Sequence, residues 1–201
     1  QASSSAASDV YKRQELIMSE KIILGIDPGT TIMGFGIISV SDKKMSLIEM
    51  NELNLKKHKD HYLKLKLVFE RTIALIEDFK PDEIAIEAPF FGKNIQSMLK
   101  LGRAQGIAMA AGLSREIPIT EYSPKKIKMA ITGNGNASKE QVAKMLQNLL
   151  QINELPKNLD STDGLAAAVC HFYNSKNIIE GSKYSGWSSF VKHNKDKIRK
   201  S

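Results

Sequence analysis

The sequence has little of several features that mark particular protein classes. Its 201 residues include a single cysteine, Cys170, so no internal disulfide and no cysteine-based zinc site can form. No stretch approaches the roughly 20 consecutive apolar residues that a membrane-spanning helix requires. We therefore expect a protein of the reducing cytoplasm that has no membrane segment.

What the chain does contain is typical of a globular domain with a positive surface. Apolar residues make up 42% of it and charged residues 25%, and the formal net charge is +7. The charge is uneven, because residues 88–158 hold 10 basic and 4 acidic residues, and residues 182–201 hold 6 basic and 1 acidic. This pattern favours an acidic partner such as nucleic acid. A chance distribution of solvated charges is the alternative.

The two ends of the chain differ in composition from its middle. Residues 1–17 begin with a low-complexity run of small residues and match no targeting signal, so we interpret them as a non-native or disordered leader and Met18 as the natural start. Residues 18–181 are predicted to form one domain. Residues 182–201 are polar and basic, and they form either an arm that contacts phosphates or a disordered tail.

Apolar periodicity predicts an α/β domain with a mixed sheet flanked by helices. Strands are predicted at 21–27, 33–40, 45–55, 83–87 and 117–122, and helices at 60–79, 94–115, 125–131, 139–150 and 160–179. The first three strands follow one another by short links, which predicts an antiparallel meander. The first helix should bury Leu65, Phe69, Ile73, Ile76 and Phe79.

Four carboxylates stand where ligands gather in α/β sheets. Asp27 ends the first strand and Glu87 the fourth, and Asp160 and Asp163 share one face in the first turn of the last helix. Each alone could be a turn residue, a cap or a partner of the helix dipole. Together they supply hard oxygen ligands for Mg²⁺ or Mn²⁺. Two such ions about 3.5–4 Å apart can activate water and stabilise the leaving oxygen of a phosphodiester.

Six motifs, in this order and spacing, resemble those of the RuvC Holliday junction resolvases over about residues 21–175. They are Gly25-Ile-Asp-Pro-Gly-Thr-Thr, Ile86-Glu-Ala-Pro-Phe-Phe-Gly-Lys-Asn, Leu99-Lys-Leu-Gly-Arg-Ala-Gln-Gly, Glu121-Tyr-Ser-Pro-Lys-Lys-Ile-Lys, Gly133 to Lys139, and Asp160-Ser-Thr-Asp-Gly-Leu-Ala-Ala-Ala. The resemblance implies a ribonuclease H-like fold with a five-stranded mixed sheet. It also implies a bacterial, cytoplasmic homodimer that acts in recombination and DNA repair with a RuvA–RuvB complex as partner.

The resemblance further implies the reaction and its residues. The enzyme would nick two strands of like polarity symmetrically at a four-way DNA junction, leaving 5′-phosphate and 3′-hydroxyl ends. Asp27, Glu87, Asp160 and Asp163 would hold two Mg²⁺ ions per subunit, which Mn²⁺ could replace. Lys128 and Lys139 match basic residues near the scissile phosphate, and Phe90 matches an aromatic that stacks on unpaired bases. Further DNA contacts are expected from Phe91, Lys93, Lys125 and Lys126.

Several positions have a purely structural alternative. Lys128 and Lys139 could lie on a solvated helix surface, and Phe90 could be a core side chain. The small-residue face Gly102, Gly106 and Ala110 is either a dimer seam or a surface that packs on the sheet. No histidine directly follows Asp163, and we expect His171 to be structural.

Two other functions are open at this point. The segment from Gly25 to Thr31 also resembles the first phosphate loop of actin-like ATPases and sugar kinases, although we do not expect 201 residues to accommodate their second lobe and second phosphate loop. A non-catalytic junction-binding protein is the other alternative. It is disfavoured because all four carboxylates are present.

Overall fold

The computed structural model describes residues 20–89 and 94–180, with side chains up to residue 175. Within these ranges the strands are β1 Lys21–Asp27, β2 Ile32–Ser41, β3 Lys44–Asn54, β4 Glu83–Glu87 and β5 Ile119–Tyr122. The helices are α1 His61–Phe79, α2 Ile95–Leu113, α3 Pro124–Thr132, α4 Lys139–Leu150 and α5 Asp160–Glu180. The predicted α/β class and five-stranded mixed sheet are confirmed. The predicted leader (residues 1–17) and tail (residues 182–201) lie outside the described residues.

The sheet has the order β3-β2-β1-β4-β5. β1, β2 and β3 form the predicted antiparallel meander, while β4 runs parallel to β1 and β5 parallel to β4. Each parallel connection passes through a helix, α1 before β4 and α2 before β5, because parallel strands need a long crossover. The β2–β3 turn uses Asp42 and Lys43 at φ of 53° and 62°, as expected for a two-residue turn that follows the strand twist.

Apolar side chains pack on both faces of the sheet. On one face Leu24 and Ile26 lie in a cluster with Val68 of α1 and Ala108 of α2. On the other face Ile23 lies in a cluster supplied by α3, α4 and α5. The alternation of side chains along β1 therefore decides which helices each of its residues meets.

Glycines allow α5 to lie directly on the strand backbones. A β-carbon on Gly25 would stand 2.1 Å from the carbonyl oxygen of Gly164 and 2.5 Å from the amide nitrogen of Ala168. A β-carbon on Gly164 would in turn stand 2.4 Å from the Cα atom of Phe35. No side chain fits between the two elements here, so the glycines fix the depth at which the start of α5 meets the sheet.

Details of the helices differ from the sequence-based expectation. α1 buries Val68, Thr72, Leu75 and Ile76, whereas Phe69 is 37% exposed. The buried stripe includes a polar residue because the Thr72 hydroxyl donates to the carbonyl oxygen of Val68 at 2.8 Å. α2 ends two residues earlier and β5 begins two residues later than predicted. Among the described helices, none is long and apolar enough to cross a membrane.

Candidate active site

Asp27 and Glu87 end two neighbouring parallel strands at the same level. Ile26 of β1 is paired with Ile86 of β4, so the two carboxylates follow side by side at the sheet edge. Ala85, two residues before Glu87, packs in the cluster beneath α5. Because alternate residues of a strand share a face, both carboxylates project toward the α5 side of the sheet.

Asp160 and Asp163 reach the same edge from the first turn of α5. Gly34 is paired with Asp27 across β1 and β2, and a β-carbon on Gly34 would stand 2.1 Å from the carbonyl oxygen of Asp160. The helix therefore begins directly over the end of β1. The structure brings together all four carboxylates that the sequence predicted, from two strands and one helix.

Burial and mutual repulsion alter the protonation of this group. Burial, then the charges of Asp163 and Asp160, raise the pKa of Asp27 from 3.8 to about 7 despite the opposing charge of Lys139. Burial, then Asp27 and Asp163, raise the pKa of Glu87 from 4.5 to about 8. Such a group of carboxylates favours the binding of a cation, because the positive charge would offset both the burial and the mutual repulsion of the carboxylates.

The Lys139 ammonium contacts this group. Ser138 caps α4 through a capping box, which fixes Lys139 as the first residue of the helix. The Lys139 ammonium contacts the Asp160 carboxylate and lies 2.6 Å from an oxygen of Asp163. Although burial lowers the pKa of Lys139, hydrogen bonds to Asp160 and Asp163 raise it overall. The hydrogen bond from Lys139 lowers the pKa of Asp160.

The residues present suit a hard divalent cation. As the side chains stand, no three Asp, Glu, His or Cys groups of the described residues are close enough together to hold an ion. Asp160 and Asp163 are turned toward the Lys139 ammonium instead. The donor set consists of carboxylates without sulfur or imidazole, which is the chemistry that Mg²⁺ and Mn²⁺ prefer.

A basic cavity of about 740 Å³ adjoins the carboxylates, and we call it the α3–α4 cavity. Its lining includes Glu87, Asp163, Lys125, Lys128 and Lys139. The charge of Lys128 lowers the pKa of Glu87 and of Asp163, opposing the rise caused first by burial.

Three other residues of the predicted DNA contacts, Phe90, Phe91 and Lys93, lie outside the described residues. Lys126 lies apart from the α3–α4 cavity lining, with its ammonium 4.9 Å from the ring centroid of Tyr122. Its predicted DNA contact stays a prediction.

His171 is a structural residue, as expected. It is 6% exposed, its Nδ1 lies 2.8 Å from the Tyr122 hydroxyl, and its Nε2 lies 2.5 Å from a Glu83 carboxylate oxygen. Glu83 begins β4, whereas Glu87 ends it, so His171 stands at the opposite end of this strand from the carboxylate group.

A second cavity, which the sequence did not predict, lies on the other side of the carboxylates, and we call it the α1–α2 cavity. It measures about 590 Å³, and its lining includes Asp27 and Asp160 together with Lys59, Lys64 and Lys100. The lysines around His58 were a visible signal in the sequence. They could not be related to the site without knowing how α1 packs beside β1.

Comparisons with known proteins identify the family of the chain. The family model described as "Crossover junction endodeoxyribonuclease RuvC" matches residues 23–171. A protein of that name from Christiangramia forsetii is 75% identical, covering 92% of this chain and 97% of that protein. A protein of the same name from Bacteroides fragilis is 58% identical over 90% of this chain and 98% of that protein. The structure "T. thermophilus RuvC in complex with Holliday junction substrate" superposes with a TM-score of 0.71 at 27% identity, covering 78% of this chain and 95% of that one. The chain therefore belongs to the RuvC family of crossover junction endodeoxyribonucleases.

Proposed function

We propose that this protein resolves four-way DNA junctions by cutting one phosphodiester in each of two strands of like polarity. The observation that carries the proposal is the convergence of Asp27, Glu87, Asp160 and Asp163 beside a lysine-lined cavity. Membership of the RuvC family supports the same reaction, and the Thermus thermophilus relative is described in complex with a Holliday junction.

The four carboxylates would hold Mg²⁺, two ions per subunit, with Mn²⁺ as a substitute. When bound, such ions activate water and stabilise the leaving oxygen of a phosphodiester, giving 5′-phosphate and 3′-hydroxyl ends. No side chain is needed as a nucleophile. Lys128 and Lys139, which line the α3–α4 cavity, would supply positive charge where the phosphoryl group gains negative charge. When the junction binds, the Lys139 ammonium would leave the carboxylates of Asp160 and Asp163 and contact a phosphate oxygen instead.

Paired nicks require two active sites, and we propose a homodimer through the outward face of α2. Added β-carbons at Gly102 and Gly106 meet nothing within 4 Å, and Leu99 and Leu113 on this face are 52% and 61% exposed. The alternative that this face packs on the sheet is wrong. α2 buries a different face, which contains Ala104, Gln105, Ala108, Ala111 and Gly112.

The cellular setting follows from the family. We propose a role in homologous recombination and DNA repair in the bacterial cytoplasm, with a RuvA–RuvB complex as partner. The named relatives come from bacteria. Stacking of Phe90 on unpaired bases is part of the same proposal, and Phe91, Lys93, Lys125 and Lys126 are its further DNA contacts.

The proposal is tested by separating binding from cleavage. Asp27→Asn is expected to bind a labelled four-way junction with near wild-type affinity and to lose cleavage in Mg²⁺, because it removes a proposed ligand without changing the shape of the side chain. The matched control is Asp78→Asn, an exposed position on α1 that should retain both. Loss of junction binding by a folded Asp27→Asn protein would contradict a purely catalytic role for Asp27. Binding of ATP by the wild type would favour the phosphotransferase alternative.

A further inference from the structure

The carboxylate group separates two cavities. Glu87 and Asp163 line the α3–α4 cavity, whereas Asp27 and Asp160 line the α1–α2 cavity. The two cavities therefore share the proposed cutting site as a common wall. The proposed function uses only the first of them.

The α1–α2 cavity is basic apart from that wall. Lys59 enters it from the segment before α1, Lys64 from α1 and Lys100 from α2. Among the described residues, its only acidic lining residues are Asp27 and Asp160. Lys64 donates to the carbonyl oxygen of Thr30 at 3.0 Å, which ties the β1–β2 loop to α1. No carboxylate of the described residues forms an ion pair with Lys59 or Lys100.

A buried polar atom of the same cavity also lacks a partner. The Nε2 atom of His61, the first residue of α1, is buried and has no hydrogen-bond partner among the described residues. Leaving such a group unsatisfied destabilises the free protein. Burial, then the charges of Arg103, Lys100 and Lys64, lower the pKa of His61, so the ring lies in a positive field. An anionic oxygen in this cavity would pair with the Nε2 atom of His61 and balance the positive charge around it.

We propose that the α1–α2 cavity is a second phosphate subsite, which binds a backbone phosphate of the cleaved strand on the opposite side of the scissile bond from the α3–α4 cavity. Lys59 and Lys100 supply the charge, and His61 Nε2 donates to a phosphate oxygen. The inference rests on the proposed function. Its consequence is that the strand is held on both sides of the carboxylates, so the phosphodiester between the two cavities is positioned for cutting.

The test compares two double variants with the same change in charge. Lys59→Gln/Lys100→Gln removes the proposed phosphate contacts, whereas Lys66→Gln/Lys144→Gln removes two exposed lysines outside both cavity linings. Junction affinity is measured by fluorescence anisotropy in EDTA between 50 and 200 mM salt. The first variant is expected to bind roughly tenfold more weakly and to reduce the slope of log affinity against log salt by about 1–2 relative to the control.

A neutral phosphate identifies the contact itself. Single methylphosphonates are placed at successive positions flanking the cleavage site of one strand. At one position, the methylphosphonate is expected to weaken junction binding by the wild type and by the control variant Lys66→Gln/Lys144→Gln. It should not weaken binding by Lys59→Gln/Lys100→Gln, because that variant has already lost the contact. His61→Phe is expected to weaken binding without lowering the melting temperature, since it removes a nitrogen, Nε2, that has no hydrogen-bond partner in the part of the chain that the structure describes.

The outcomes separate this inference from the proposed function. If the wild type neither binds nor nicks a four-way junction, the proposed function fails. If the wild type does both and the Lys59/Lys100 variant matches its control in salt slope and methylphosphonate response, the second subsite is refuted. A thermal melt of each variant ensures that only folded proteins are compared.

Discussion

Replacing Asp27 by asparagine should make the protein more stable at alkaline pH. Burial and the charges of Asp163 and Asp160 raise the pKa of Asp27 from 3.8 to about 7. Between about pH 4 and pH 7 the folded protein therefore keeps a proton that the unfolded chain has lost. Wild-type stability must fall as pH rises through this window, and the loss is complete near pH 8. Asparagine does not ionise, so the variant escapes this loss.

The expected size follows from the change in pKa. One pKa unit corresponds to about 1.4 kcal/mol, so a rise from 3.8 to about 7 sets an upper limit of about 4 kcal/mol on the gain at pH 8. Because Glu87 and Asp27 repel each other, the substitution also eases the ionisation of Glu87. We expect a gain of roughly 2–4 kcal/mol, or roughly 5–15 °C in melting temperature for a domain of this size.

The assay is urea unfolding of wild type and variant in EDTA from pH 4 to pH 8. The two free energies of unfolding should agree near pH 4 and diverge as pH rises. Asp160→Asn is the matched control, because the hydrogen bond from Lys139 lowers the pKa of Asp160 and its replacement should give no gain at pH 8. Adding Mg²⁺ should stabilise the wild type more than Asp27→Asn. Equal stability of wild type and Asp27→Asn at pH 8 would refute the reasoning.

Three further predictions concern packing, charge and assembly. Lys139→Gln should lower the melting temperature in EDTA, because Asp160 and Asp163 lose their ammonium partner, and Mg²⁺ should restore part of the loss. An unchanged melting temperature would contradict a stabilising role for Lys139. Gly25→Val should unfold the protein or destabilise it by more than about 3 kcal/mol, since the β-carbon of valine would overlap the α5 backbone. Thermal melts followed by circular dichroism measure this change, and a near-native melting temperature would exclude such close packing. Gly106→Arg should stay folded by circular dichroism and elute as a monomer in size-exclusion chromatography, because the added side chain has free space in the protomer but would block the proposed α2 interface. Dimeric elution of this variant would place the interface elsewhere.

Much of the site was predictable because it depends on strand ends. β1 is a continuous apolar segment that stops at Asp27, and the predicted bounds of β1 and β4 agree with the structure. The spacing of Asp160 and Asp163 likewise placed both in one helical turn. These features are local, so periodicity and turn residues determine them.

The remaining features depend on contacts between distant segments. The glycines at 25 and 164 allow α5 to lie against β1, but neither residue indicates its partner until the sheet is assembled. Phe69 is exposed because the buried face of α1 runs through Val68, Thr72 and Leu75, one residue before the predicted stripe. Periodicity alone does not determine which of two adjacent stripes faces the sheet. The contact of Lys139 with Asp160 and Asp163 joins two helices, and the sequence predicted only that Lys139 lies near the site.

The central claim is that the carboxylate group cuts four-way junctions in pairs of strands. The most direct measurement is incubation of the purified protein with a synthetic four-way junction, each strand labelled in turn, in Mg²⁺. We predict two nicks at symmetric positions in strands of like polarity, with 5′-phosphate ends that a ligase can reseal. Cleavage of a linear duplex or an RNA–DNA hybrid, without paired nicks in the junction, would contradict the account.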